Sequence, residues 1–210
     1  MRKICLRGLF VAGLMLLIAS ATAHAQTDVA LSVYGAFSGT TNGNGTIQSP
    51  SNSAGGMVEL RHISNPLVGY EATYSYNRDN QAYTSTVAPL ACPVGLPSCG
   101  PTPVSVKANA HEISGDWIVS VHIANLRPFG LAGVGLLFNE PAGSQADTSS
   151  ATKPVFIYGA GLDWGVFPHI GLRFQYRGNL YKAPDLTTLY TSTNAFTHTA
   201  EPMIGAYFRF

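Results

Sequence analysis

Eleven ionisable residues stand at alternate positions of short segments: Glu59, Arg61, Glu71, Glu112, Asp116, Arg127, Asp163, Arg173, Arg177, Glu201 and Arg209. Six acids and five arginines on one face can form charge-assisted pairs, and a chain of such pairs can also carry protons or ions. Counting outward from the expected turns puts Arg177 opposite Glu201. It also puts Glu59 opposite Glu71, with Arg61 diagonal to Glu71. Two facing glutamates repel unless that arginine or a shared proton intervenes. The set reads as a structural polar plug, with a proton or ion path as the alternative.

Other reactive side chains offer less. His62, His111, His122, His169 and His198 are scattered, with no pair two residues apart, so no metal site is expected and they read as surface or interface residues. The groups Gly133-Val134-Gly135 and Gly159-Ala160-Gly161 are followed by no helical pattern and are not nucleotide loops. As inward-facing glycines they would make room for Phe129, Arg127 or Arg173. Cys92 and Cys99 bracket a Pro- and Gly-containing hexapeptide, and in an oxidising compartment they are expected to form a disulfide that stiffens a loop. No catalytic residue set and no cofactor is expected.

The elements that position these residues begin after residue 25. Arg2, Lys3 and Arg7, an apolar run from Leu9 to Ile18, and Ala23-His24-Ala25 have the three-part layout of a cleaved secretory signal peptide. Residues 1–25 are therefore expected to leave, with 26–210 as one domain. Cleavage leaves nine basic residues against 11 acidic ones, a formal charge of −2. That balance argues against nucleic-acid binding, which needs clustered Lys and Arg. No later apolar run is long enough to cross a membrane as a helix.

Period-two alternation recurs eight times, near 28–38, 56–63, 66–77, 110–121, 126–138, 154–165, 170–181 and 197–210. In 66–77 one face carries Val68, Tyr70, Ala72, Tyr74 and Tyr76, and the other Gly69, Glu71, Thr73, Ser75 and Asn77. The links alternate as well. Short ones fall at Ser64-Asn65-Pro66, Ala124-Asn125 and Phe167-Pro168-His169; long ones fall at 39–54, 78–107, 139–152 and 182–195. Eleven charges cannot form a dry soluble core, so the polar face must be the interior of a barrel whose greasy face meets lipid. Trp164, Phe208 and Phe210 at one end, and Tyr74, Tyr76, Phe138 and Phe156 at the other, suit two interfacial girdles. The expected fold is all-β, an eight-stranded antiparallel up-and-down transmembrane β-barrel with both termini on the periplasmic side.

"GYEATYSYN" at 69–77, "LRPFGLAGVGLLF" at 126–138, "GLRFQYRG" at 171–178 and the terminal "EPMIGAYFRF" resemble the small outer-membrane β-barrel family that includes the outer membrane protein A transmembrane domain and protein X. The resemblance implies residence in the cell outer membrane among its lipid and lipopolysaccharide, as a monomer. It also implies that Ile204, Ala206, Phe208 and Phe210 form the signal read by the barrel-assembly machinery. With the chain ending at Phe210, no wall-binding domain is expected after it. Family members serve as membrane-integrity elements, as adhesins or as narrow pores. Eight strands leave an interior that side chains can fill. The leading expectation is a structural or surface-interaction role, with an unknown ligand of the external loops, and a narrow porin is the alternative. His62-Ile63-Ser64 resembles the His-x-Ser motif of lipid A deacylases, also eight-stranded barrels. Such an enzyme works in the outer leaflet, whereas this segment runs into a short, periplasmic turn, so the turn reading is preferred.

Overall fold

The computed structural model describes residues 26–65, 67–86, 102–143 and 145–210. Its strands in chain order are β1 (Gln26–Ser38), β2 (Thr41–Gly43), β3 (Thr46–Pro50), β4 (Ser53–Ile63), β5 (Val68–Ser85), β6 (Val104–Ser120), β7 (Leu126–Pro141), β8 (Ala151–Gly165), β9 (Ile170–Lys182) and β10 (Phe196–Arg209). The signal-peptide segment 1–25, Pro66, Cys92 and Cys99 lie outside the described residues. Eight long strands, β1 and β4 to β10, each pair antiparallel with their neighbours in the sequence β1-β4-β5-β6-β7-β8-β9-β10, and β10 pairs back onto β1. The sheet is a closed eight-stranded barrel, and no helix occurs among the described residues. Closure is necessary in hydrocarbon, because an edge strand would leave backbone N–H and C=O groups without partners.

The alternation read from the sequence sets the two faces. Leu31, Val33, Trp117 and Val134 are 64–71% exposed on the outer wall, while Arg61, Arg173, Arg177, Glu59 and Asp28 are fully buried inside. A soluble protein has the reverse arrangement, and a continuous apolar exterior of this kind needs lipid around it.

Two expectations about the connections change. The first short link takes up five residues, 64–68, since Ile63 pairs with Gly69, and the Asn65 side-chain oxygen accepts from the Leu67 and Val68 amides at 3.1 and 2.9 Å. This moves the pairing by two residues and leaves the faces intact. Arg61 stands directly opposite Glu71, and Glu59 opposite Thr73, so the expected facing glutamates do not occur. The second change is at the other end. Much of what was expected as long loops at 39–54 and 78–107 is strand: β5 runs 18 residues and β6 runs 17, well beyond the roughly 9–11 a membrane strand requires. Beyond the lipid both faces of a hairpin can be polar, so the apolar alternation stops where the ladder continues. Asn44 and Gly45, with φ of 50° and 78°, form the tight turn between β2 and β3. Both sit in the left-handed region that such hairpins require and that Asn-Gly tolerates.

Pro202 marks one interruption. The β1–β10 ladder pairs Tyr34 with Met203 and resumes at Phe37 with Ala200, without regular pairs between. Proline has no N–H to give to the ladder.

Close packing inside needs glycine at chosen points. Any Cβ on Gly161 would collide with the Phe129 ring, and one on Gly133 with the Asp116 carboxylate. The space therefore serves Phe129, as expected, and Asp116 where an arginine was expected. Gly161→Val is expected to lower the folded fraction seen as heat-modifiable gel migration, with a destabilisation of roughly 1–3 kcal/mol. Gly115→Val, where an added Cβ meets nothing within 4 Å, is expected to migrate like the parent.

Candidate functional site

Three arginines occupy the middle of the barrel, each on an inward position dictated by strand periodicity. Arg61 on β4 places Nε 2.7 Å from Glu71 Oε2 and Nη1 3.0 Å from Asp163 Oδ2. Arg173 on β9 holds Asp163 through Nε at 2.8 Å and Asp28 through Nη2 at 2.8 Å, with Glu71 and Glu59 at 3.4 and 3.6 Å from Nη1. Arg177, two inward positions further along β9, donates to Asp116 Oδ2 at 3.1 Å and Ser114 Oγ at 3.0 Å and lies 3.5 Å from Glu112. Arg61 on β4 and Asp163 on β8 stand four strands apart, so this pair crosses the lumen, while Arg173 on β9 reaches past β10 to Asp28 on β1, 145 residues away in sequence.

Aromatic rings complete this layer. The Arg61 guanidinium carbon lies 4.1 Å from the centroid of Phe129 on β7, and that of Arg173 lies 5.5 Å from the Tyr207 ring on β10. Each of the eight barrel strands thus gives at least one side chain to a single interlocked layer. Burying three guanidinium groups is tolerable only because each has carboxylates in hydrogen-bonding geometry.

The remaining charged positions are distributed unevenly. Arg177 and Glu201 are register partners, as expected. No ion pair within 4 Å joins them among the described residues, because the long arginine side chain reaches across to β5 and β6 instead. Glu112 also accepts from Asn179 Nδ2 at 2.9 Å. Arg127 faces Asp163 in register, yet its Nη2 donates to Gln26 at 2.6 Å, and Arg209 reaches the Tyr207 hydroxyl at 3.3 Å. Both lie at the turn end, outside the carboxylate cluster. There, in the turn after β6, burial and the Arg127 and Arg209 charges hold the His122 imidazole below the usual histidine range. Asp28 is a member that sequence reasoning missed. Its signal was available, since counting back by twos from the inward Ser32 and Ala30 reaches it.

The loop end carries a second closure that the sequence did not announce. Residues 183–195, between β9 and β10, fold over the mouth. Leu186 is fully buried against the inward faces of Tyr83, Val106 and Ala108. The Tyr83 hydroxyl donates to the Pro184 carbonyl at 3.0 Å, Gln48 Nε2 donates to the same oxygen at 2.9 Å, and Asn44 Nδ2 donates to the Ser192 carbonyl at 2.8 Å. The Thr188 amide donates to the Asp147 carbonyl at 3.0 Å. Leu186, two residues after Pro184 in a loop that also holds Leu189 and Tyr190, was the available clue.

His62 is on the outer wall at the turn end, with Nδ1 2.9 Å from the Thr27 hydroxyl and its ring 5.1 Å from that of Tyr70; Ser64 is exposed in the adjoining turn. No group of three His, Cys, Asp or Glu side chains is set to hold a metal among the described residues. Ile204, Ala206, Phe208 and Phe210 all face outward on and just after β10.

A family model described as the outer membrane protein beta-barrel domain matches residues 9–201. No curated protein matches the chain. Among solved structures, Neisserial surface protein A is similar at 15% identity and TM-score 0.57, over 89% of this chain and 99% of that one. The outer membrane protein OprG from Pseudomonas aeruginosa is similar at 9% identity and TM-score 0.57, over 90% and 98%. Ail, the attachment invasion locus protein of Yersinia pestis, solved with the heparin analogue sucrose octasulfate, is similar at 15% identity and TM-score 0.51, over 89% and 99%. At these identities the structural likeness establishes the fold.

Arg173→Met removes the partner of Asp28 and the main partner of Asp163, and is expected to destabilise the barrel by about 3–5 kcal/mol, measured by urea unfolding in liposomes followed through tryptophan fluorescence. Lys153→Met breaks a half-exposed pair with Asp185 at the mouth and is expected to change stability by about 0–1 kcal/mol.

Proposed function

Because this chain belongs to the outer membrane protein beta-barrel domain family and resides in the outer membrane, we propose that it works there as a closed barrel. Its lumen is a structural plug, and its loop end serves as a surface-interaction element. The observation that carries this reading is the three-arginine layer, in which ion pairs and aromatic rings from every barrel strand meet in one cross-section. Short turns face the periplasm and the long-loop end faces outward, the arrangement usual for such barrels. The lid of residues 183–195 adds a second barrier above the first. Ail is an attachment invasion locus protein solved with a polyanionic heparin analogue, which supports a surface role for external loops of this fold.

On the same reading the protein is a monomer without catalytic function, held in outer-membrane lipid and lipopolysaccharide. Ile204, Ala206, Phe208 and Phe210 present alternate apolar side chains to the barrel-assembly machinery. His62 and Ser64 are turn-end residues, far from the outer leaflet where lipid A chemistry takes place.

Single-channel recording in planar bilayers tests the plug. No steady conductance is expected from the full chain, nor after replacing residues 184–193 by a Gly-Ser linker, since the arginine layer lies below the lid. A steady conductance in the parent protein that changes with Arg177→Ala would establish a porin and overturn the reading.

A further inference from the structure

Outward-facing charge on this barrel is scarce and confined to one end. Between the girdles the lipid-facing positions carry none. Where the strands leave the apolar band at the loop end, Arg78 on β5, Lys107 on β6 and Lys182 on β9 face outward. Their acidic counterpart on the outer wall among the described residues is Glu140, on β7 opposite Asn109. At this end Asp185 is paired with Lys153 and Asp147 sits in the loop before β8, so Arg78 and Lys107 are two cations on adjoining strands with Glu140 as the acid beside them on the wall.

Arg78 and Lys107 have a built setting. Arg78 is the register partner of Asn109, and Lys107 is two residues further along β6, a diagonal separation of roughly 7–8 Å. Arg78 Nε donates to Asn109 Oδ1 at 2.9 Å, and the Tyr76 hydroxyl donates to the same oxygen at 3.1 Å. The acceptor of Asn109 is thereby used twice, which leaves its amide NH2 as a further donor beside Arg78. Beneath lies an aromatic shelf: the Tyr76 and His111 rings are 4.9 Å apart, and the Tyr74 hydroxyl is 2.8 Å from His111 Nδ1. Neither Arg78 nor Lys107 closes an ion pair with Glu140 or any other carboxylate among the described residues. The patch therefore offers the Arg78 Nη groups, Lys107 Nζ and Asn109 Nδ2 as donors, two positive charges bordered by the single carboxylate of Glu140. Free snorkelling would send Arg78 into water, whereas its bond to Asn109 pins it along the wall at head-group height.

We propose that Arg78, Lys107 and Asn109 form a site for a phosphate carried on the head group of an outer-leaflet lipid, resting on the Tyr74-Tyr76-His111 shelf. A phosphate supplies acceptor oxygens and negative charge to the two cations, whose charge the one neighbouring carboxylate, Glu140, does not balance. Lys182 is not part of the site, because it stands on β9, three strands from β6 around the barrel. The inference rests on the proposed orientation, with the loop end outward.

The test is native mass spectrometry of the purified full chain in neutral detergent, titrated with bisphosphorylated lipid A, dephosphorylated lipid A or inorganic phosphate. The parent is expected to bind bisphosphorylated lipid A about thirtyfold more tightly than the Arg78→Ala/Lys107→Ala double variant. Dephosphorylated lipid A is expected to bind both proteins alike, and Lys182→Ala is expected to match the parent. An equal unfolding temperature in detergent alone establishes that the double variant folds. Undiminished binding by the double variant, or equal binding of the two lipids by the parent, overturns the site. Competition by inorganic phosphate with the same residue dependence shows a free-anion site and overturns the lipid source. Binding in detergent does not depend on orientation, so a reversed topology would appear separately, as failure of surface labelling at the loop end of intact cells.

Discussion

Hydrocarbon offers no partner to a backbone N–H or C=O, and the rest of this molecule follows from that. A sheet in lipid must close, so β10 has to find β1 across the length of the chain. Closure at eight strands leaves an interior too narrow for a wide aqueous channel and too polar for an apolar core. The outer wall must be apolar across the lipid, and the charged side chains that the strands carry there are directed inward. The arginine layer resolves the resulting crowding. Seven inward acids, Asp28, Glu59, Glu71, Glu112, Asp116, Asp163 and Glu201, surround guanidinium groups that reach several of them at once. Lysine, with a single point charge, could not bridge so many strands in fixed geometry.

On the proposed reading of a plugged lumen, its two barriers differ in kind. The arginine layer is charged and built from facing strands, so it is part of the wall that makes the barrel. The lid is a loop held by one buried leucine and by neutral hydrogen bonds to Tyr83, Gln48 and Asn44. It depends on the strands extending past the membrane, since those extensions provide the inward apolar surface of Tyr83, Val106 and Ala108.

Strand number, facing sets and the order of short and long links were all legible in the sequence, because alternation records which side of each residue meets lipid. Phase survives errors in register. The Ser64 turn shows this: two residues more in the turn changed the partner of Glu59 from Glu71 to Thr73, yet left both facing inward. What could not be read there was reach. Arg177 and Glu201 were correctly set opposite one another, but a side chain of that length chooses among acceptors across the whole lumen, and Asp116 and Glu112 lie across from it. Asp28 was missed at the start of β1, where alternation has few residues to declare itself. The extended parts of β5 and β6 were read as loop, since polar faces on both sides remove the pattern while the hydrogen-bond ladder persists.

The wide sequence separation of the ion pairs has a kinetic meaning. Arg173 with Asp28 and Arg61 with Asp163 join parts of the chain 145 and 102 residues apart, so neither contact can form in a single hairpin, and the Arg173–Asp28 pair awaits the joining of first and last strands. Local hairpins form early and cheaply in loop entropy; this layer forms late and all together. Disassembly meets the same condition in reverse, because no strand can leave without exposing charges in hydrocarbon that its neighbours were neutralising. The barrel's persistence in the membrane is therefore governed by a cooperative barrier to opening, with the arginine layer as the lock that engages only when the cylinder is complete.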